Sequence, residues 1–289
     1  MKILSFFTHP QRSLDWSYTS SANIWRLLFS ETGRIIGENR NQDRKQVTFF
    51  CLNEPTGDKI WENLATDEPW WVGIEAVQKQ MLLLHGFAQP DLPQHKGIQA
   101  FDLESAERKW ENKELAFWFG YQNTVYAFKT MFERRIGYAL DLNTGKILQE
   151  FDDTFDELQP VRKLAQEELQ TDEYKFPEVF HLADSDQMVK AVMEKLTNSG
   201  RVVGDIEFVR DREYLLFNYY VHEKTSTPDS LSLENNFEIV KIESGQKVFS
   251  VRLLSGAKAP VPDSFFVKDN VVYFIKDQRT LSALRLWKS

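Results

Sequence analysis

The chain has almost no cysteine. Cys51 is the only one in 289 residues, so no disulfide can form within the chain, and a cysteine-based zinc site is disfavoured. That usage fits a reducing compartment. Long apolar runs are also missing. No window approaches the 18 apolar residues that mark a membrane helix. Residues 1–10 read MKILSFFTHP, an apolar stretch too short for a signal-peptide core and followed by no small-residue cleavage site. A cytoplasmic address is therefore expected. Basic clusters are absent beyond pairs such as Arg134-Arg135, and the net charge is −8. Nucleic acid and anionic membrane surfaces are not expected as partners. Walker loops, GxGxxG and serine nucleophile elbows do not occur, which argues against the commonest NTPase, dinucleotide and hydrolase readings.

What is present points to β structure. Hydrophobic residues make up 42% and charged residues 27% of the chain, a globular balance. Aromatics reach 13%, and they favour pleated, half-buried surfaces. A twelve-residue pattern recurs without gaps. Residues 51–62 read CLNEPTGDKIWE, 100–111 AFDLESAERKWE, 139–150 ALDLNTGKILQE and 239–250 IVKIESGQKVFS. Each copy is an apolar strand, a polar turn and a second strand. Gly57, Gly145 and Gly245 stand where a tight hairpin needs positive φ. Ala106 takes that place in the second copy, which must use another turn or accept strain.

A second pattern precedes these hairpins: AVQKQMLLL at 76–84, FGYQNTVYAF at 119–128, FVRDREYLLF at 208–217 and FVKDNVVYFI at 266–275. Each reads as a strand, a polar turn and an apolar strand suited to burial on both faces. The two patterns together make a four-stranded unit of about 40 residues, the period of a propeller blade. The units are 24–62, 70–111, 116–151 and 203–254, with Thr32-Gly33 as the first turn of the first. A last unit has three strands, at 264–268, 271–276 and 281–287, and residues 2–7 offer the strand that would complete it. The expected fold is all-β and β-propeller-like, a single domain over 1–289 with about five four-stranded blades.

Residues 152–200 break the pattern. Asp152, Asp153, Asp156 and Glu157 form an acidic loop. Pro160 opens a helical stretch with Val161, Leu164, Ala165 and Leu169 near one face. Asp184 or Ser185 caps a second helix, in which Val189, Val192, Met193 and Leu196 fall at i, i+3, i+4 and i+7, and Gly200 ends it. A strand is expected at 176–182. The segment is a helical insertion that packs on the blades or caps one mouth. If it hides a degenerate blade, the blade number is six.

The phrase ALDLNTGKILQE resembles the blade repeat of quinoprotein-like propellers, which tends to read A-L-D-x-x-T-G-x-x-x-W. Ala139, Leu140, Asp141, Thr144 and Gly145 match it, as do Leu52, Thr56, Gly57 and Trp61, and Ala100, Asp102 and Trp110. The chain as a whole is also similar to propeller-like families of the Bacteroidetes. The resemblance implies blades and carries no cofactor. Quinone-dependent members bind calcium through acidic and amide ligands, and many have a vicinal cysteine pair, which this chain lacks. No cofactor is expected.

Candidate site residues are few. The five histidines, His9, His85, His95, His181 and His222, show no HExxH or HxH spacing. His85 and His222 each end the second strand of a blade, in LLLHG and YYVHE, where they are surface residues or a functional pair. The acidic loop at 152–157 lacks the spacing of a calcium loop and reads as a solvated surface, so no metal is expected. Cys51 lies mid-strand and reads as a small hydrophobe. Trp70-Trp71 and Phe117-Trp118-Phe119 read mostly as core between blades; neighbouring strand residues face opposite sides, so one of Trp70 and Trp71 is expected open to a partner, and Trp118 is a further candidate for the binding face. The function expected is a non-enzymatic binding or scaffold propeller, monomeric, with a protein or peptide partner. The alternative is a hydrolase or lyase with a polar site in the channel.

Overall fold

A computed structural model describes residues 12–89, 92–132, 134–152, 155–169, 174–181, 187–198, 200–223 and 232–287. The chain divides into two compact units, residues 20–171 and residues 1–19 with 172–289. Strand β1 (Trp16–Thr19) comes first and belongs to the latter. The unit of residues 20–171 holds three antiparallel meanders. They are β2 (Asn23–Phe29), β3 (Arg34–Asn41), β4 (Gln46–Asn53) and β5 (Lys59–Leu64); β6 (Val72–Gln78), β7 (Met81–Phe87), β8 (His95–Asp102) and β9 (Arg108–Asn112); and β10 (Ala116–Tyr121), β11 (Thr124–Thr130), β12 (Arg135–Asp141) and β13 (Ile147–Phe151). These are the expected blades, and the third runs over 116–151 as read from the sequence.

The four twelve-residue copies turn in the same way. Gly57, Gly145 and Gly245 take φ of 70°, 67° and 64°, and Ala106 takes 57°. In each, this residue's N–H donates to the carbonyl four residues back, Asn53, Asp141, Lys241 and Asp102 respectively. Ala106 therefore keeps the turn and accepts the strain of a left-handed alanine. The side-chain oxygen of the motif Asp or Asn holds the loop. Asp141 Oδ1 accepts from Thr144 N–H at 2.8 Å and from its hydroxyl at 2.7 Å. Asp102 does the same for Ser105, and Asn53 for Thr56.

The next residue ties the blade together. Glu54, Leu103 and Leu142 donate their N–H to Gly33, Gln80 and Asn123 in the first turn of their own blade. The carbonyls of Leu103 and Leu142 accept from the preceding blade: Trp61 Nε1 donates to Leu103 and Trp110 Nε1 to Leu142, both at 2.8 Å. Core clusters fill the space between these neighbours. Ile36, Phe49 and Cys51 pack on Ile74, Leu82 and Leu84, and Leu83, Ile98 and Ala100 pack on Val125, Ala127 and Leu140.

The insertion follows, its first part still within this unit. A single 3₁₀ turn (Asp156–Leu158) leads into α1 (Gln159–Leu169), with Pro160 in its first turn. Leu158 and Ala165 are buried, whereas Leu164 is exposed and lies off the apolar face expected for it. Where a strand was expected at 176–182, only the short β15 (Glu178–Val179) forms; another, β14 (Tyr174–Lys175), lies just before that range, and α2 (Gln187–Thr197) comes after them. Val189 and Met193 are buried against Phe208, Leu215 and Phe217, with Val192 and Leu196 packed beside them. That is the predicted stripe. Gly200 follows at φ 64°. The proposed caps Asp184 and Ser185 lie outside the described residues, as does Asp153.

The other unit holds two blades. One is β16 (Val202–Asp211), β17 (Tyr214–His222), β18 (Leu233–Lys241) and β19 (Lys247–Ala257). The other is β20 (Phe265–Lys268), β21 (Val271–Lys276) and β22 (Thr280–Arg285). Strand β1 pairs with β22 and completes the last blade, with Trp16 opposite Ala283 and Thr19 opposite Thr280. The completing strand is thus 16–19; residues 2–7, expected in that role, lie outside the described residues. Strand β14 pairs with β20 and β15 with β16, so the insertion covers the first-strand edge of both blades. Such edges otherwise present unpaired backbone groups. Among the described residues, 152–200 form no sixth blade.

Three predictions follow from these contacts. Trp110→Phe keeps the ring and strands the buried Leu142 carbonyl; urea unfolding will show a loss of about 1–3 kcal/mol, and a smaller one for the less buried Trp61→Phe. Ala106→Gly relieves the left-handed alanine and will raise stability by roughly 0.5–1 kcal/mol by the same assay. Burial pushes the Cys51 thiol up to about 12. At pH 8 its reaction with a disulfide reagent will be on the order of 10³ slower in the folded chain than in urea.

Candidate functional site

The first strands of the three blades in residues 20–171 share a bulge. Ile24 faces Asn39 and Arg26 faces Glu38, which leaves Trp25 as the extra residue. In the next blade Ile74 faces Leu84 and Ala76 faces Leu83, leaving Glu75. In the third, Phe117 faces Ala127 and Phe119 faces Tyr126, leaving Trp118. A bulge breaks the alternation of the strand and re-aims one side chain. One frame therefore presents a tryptophan twice and a glutamate once at one position.

A cavity of about 600 Å³ lies along these strands. Phe29, Glu75, Phe117, Trp118 and Tyr121 line it, and α1 adds Ala165 and Glu168. Helix α1 is held there by aromatic contacts. The Arg162 guanidinium lies 5.3 Å from the centre of the Trp118 ring, and the Phe155 ring 5.0 Å from it. The insertion thus supplies one wall of the cavity.

At Glu75 the cavity wall meets two imidazoles. Glu75 Oε2 lies 2.9 Å from His95 Nδ1 and 3.1 Å from His85 Nδ1. The two rings stack in parallel, with centroids 3.5 Å apart and 8° between planes. Phe87 packs edge-on to both. His85 is buried, Glu75 nearly so, and His95 about one-third exposed. Burial acts to raise the Glu75 carboxyl, but the close approach of the His85 and His95 side chains outweighs it and brings the group down to about 2. The carboxylate is therefore the charged form across the neutral range.

A second charged group sits beside it. Glu38, also buried, pairs with Arg40 at 2.6 Å and accepts the Ile74 N–H at 2.9 Å. The Arg40 guanidinium lies 5.1 Å from the Trp70 ring and 5.8 Å from the Trp25 ring.

The five residues singled out from the sequence fall in different places. His85 is inside β7, which continues to Phe87, and joins Glu75 and His95. Trp118 lines the cavity. Trp70 packs on the core between the first two blades and carries Arg40 and Lys45 on its face. Trp71 meets Phe87 edge-on at 5.8 Å. Both tryptophans are half-buried. His222 is exposed at the end of β17, in the other unit. No metal-competent cluster among the described residues includes it, or Asp152, Asp156 and Glu157 of the acidic loop. Sequence reasoning missed Glu75 and the role of His95. Their signal was the hairpin register, in which His85 faces Ile98 while Phe87 faces His95.

The profile of a domain of unknown function (DUF4905) matches residues 29–110. No curated protein sequence matches the chain. Among solved structures, the chain is similar to a quinohemoprotein alcohol dehydrogenase from Pseudomonas putida, at 12% identity and a TM-score of 0.31, over 96% of this chain and 44% of that one. It is similar to BamB from Moraxella catarrhalis at 10% identity and 0.34, over 92% and 84%. It is also similar to the β-propeller domain of the Trilobed protease from Pyrococcus furiosus, at 10% and 0.32, over 89% and 64%. The chain spans less than half the length of the alcohol dehydrogenase. Its own sheets decide the fold class: five antiparallel blades, the last completed by a strand from near the N-terminus, make an all-β, propeller-like protein with a small helical insertion.

Proposed function

We propose that the chain is a non-enzymatic binding module of the propeller type, and that it takes a basic segment of a protein partner into the cavity beside Trp118. The lining of that cavity carries the reading. It combines the rings of Phe29, Phe117, Trp118 and Tyr121 with the carboxylates of Glu31, Glu75 and Glu168, against the cation of Lys79 in the lining and that of Arg162 over the Trp118 ring. A lysine or arginine side chain is drawn both to an aromatic face and to carboxylates. A volume of about 600 Å³ admits a few side chains of an extended segment. The net charge of −8 favours encounter with a basic partner. The cytoplasm is the proposed setting, because the lone thiol takes part in no disulfide there.

One observation favours a second reading, a hydrolase or lyase. Glu75, His85 and His95 converge at the same wall, and an imidazole held by a carboxylate is a general base.

Selection of peptides from a random library on the full chain tests the first reading. The selected peptides will be rich in Lys and Arg, and Trp118→Ala and Glu168→Lys will each weaken them about tenfold or more. Peptides without basic residues, or equal affinity for both variants, would overturn it.

A further inference from the structure

We infer that Glu75, His85 and His95 form a binding site for one divalent transition-metal ion of the zinc class. The three side chains come from neighbouring strands, β6, β7 and β8, and their ligand atoms all lie within 4.8 Å of one another. Two imidazole nitrogens and one carboxylate oxygen are the donor set that zinc and its neighbours take. Hard ions such as magnesium and calcium want oxygen instead.

A second observation points the same way. His85 Nδ1 is buried and, among the described residues, makes no well-directed hydrogen bond, although it is only 3.1 Å from Glu75 Oε2. Buried nitrogens are nearly always satisfied. This one lies within 4.8 Å of the other two ligand atoms, and an ion among them supplies what it lacks.

The surroundings are built to hold the three groups. The bulge at Glu75 turns its carboxylate out of the strand ladder. Phe87 packs edge-on against both rings. Gly73, opposite His85 in the ladder, leaves room for that ring: a Cβ there would sit 3.0 Å from its Cε1 and Nε2. Coordination through both Nδ1 atoms requires the neutral rings to carry their protons on Nε2. Three protein ligands leave a tetrahedral ion one position for water or a ligand group. Glu75 also lines the cavity and His95 is partly exposed, so an ion can reach the site from solvent.

The inference shares Glu75 with the peptide reading, but that reading's variants Trp118→Ala and Glu168→Lys leave all three ligands in place, so the two can fail separately. The test uses the full chain, stripped with EDTA and titrated with zinc chloride at pH 7.5. Bound zinc is read by elemental analysis after gel filtration, affinity by calorimetry, and the accompanying change by the thermal midpoint. The expected result is one zinc per chain and a raised midpoint. His95→Gln and Glu75→Gln will lower the affinity at least tenfold and abolish the rise, while His222→Gln behaves as the parent. Circular dichroism checks that the variants fold; if His95→Gln fails, Glu75→Gln alone decides. No saturable uptake by the parent chain below about 1 mM zinc, or full affinity in a folded His95→Gln or Glu75→Gln variant, would overturn the inference.

Discussion

The peptide units at Leu103 and Leu142 each make two bonds that organise the blades around them. The N–H reaches back to the first turn of its own blade, which locks the two hairpins together. The carbonyl takes the indole N–H of the preceding blade. One residue thus fixes the shape of a blade and its attachment to its neighbour. The rest of the repeat serves this node. The extra residues Ile60 and Lys109 on the last strands set the tryptophans in register. Gly145 answers two demands at once. Its φ is left-handed, and a Cβ there would stand 2.6 Å from the Trp110 ring. Where Ala106 replaces that glycine, the tryptophan of the preceding blade, Trp61, is less buried than Trp110.

The node also shows where the repeat stops. The third copy carries Gln149 where the others have Trp61, Trp110 and Phe249, each opposite the corresponding residue of its own hairpin. Glutamine has no indole to dock, and Ile147 and Leu148 beside it are exposed. The insertion begins directly after this copy, and the boundary between the compact units follows at residues 171 and 172. In the other unit, Phe249 packs on Phe237 and Phe274 instead. Ring packing there takes the place of a directional bond, and Ile242 and Leu286 still tie their own blades through Glu213 and Asn270.

The fold was legible where glycine, aspartate and tryptophan mark fixed points. Each of the first three second hairpins carries two of the three and the fourth the glycine alone, so blade boundaries could be read to within about three residues, and 116–151 without error. The stripe in α2 was legible because it lies on one apolar face. The first hairpins are different. The first blade's turns on Gly33, but the others turn on Lys79, Gln122, Arg212 and Asp269, which take φ of 50–54° without being glycine, so only a polar break between apolar strands marks them. The strand that completes the last blade was misplaced because residues 2–7 are more apolar than 16–19. Pairing with β22, not hydrophobicity, selects the latter. The site was harder still. Bulge residues are defined by register, and Glu75 and His95 are 20 residues apart with no spacing that marks them. They meet because two antiparallel hairpins bring the ends of three strands together.

The bulges separate what the fold requires from what it permits. Trp25, Glu75 and Trp118 occupy one structural position, so the frame accepts an aromatic ring there. A tryptophan covers apolar surface at little cost, whereas a nearly buried carboxylate must be compensated. Glu75 is compensated by two imidazoles, one of them buried, and by nothing that the neighbouring blades need. The other two blades of this unit form without a carboxylate at this position. An apolar side chain at 75, as in the other two blades, would leave the Leu103 node, the turns and the interblade core intact. The polar group at the middle bulge is therefore best understood as site chemistry set on a frame that does not need it.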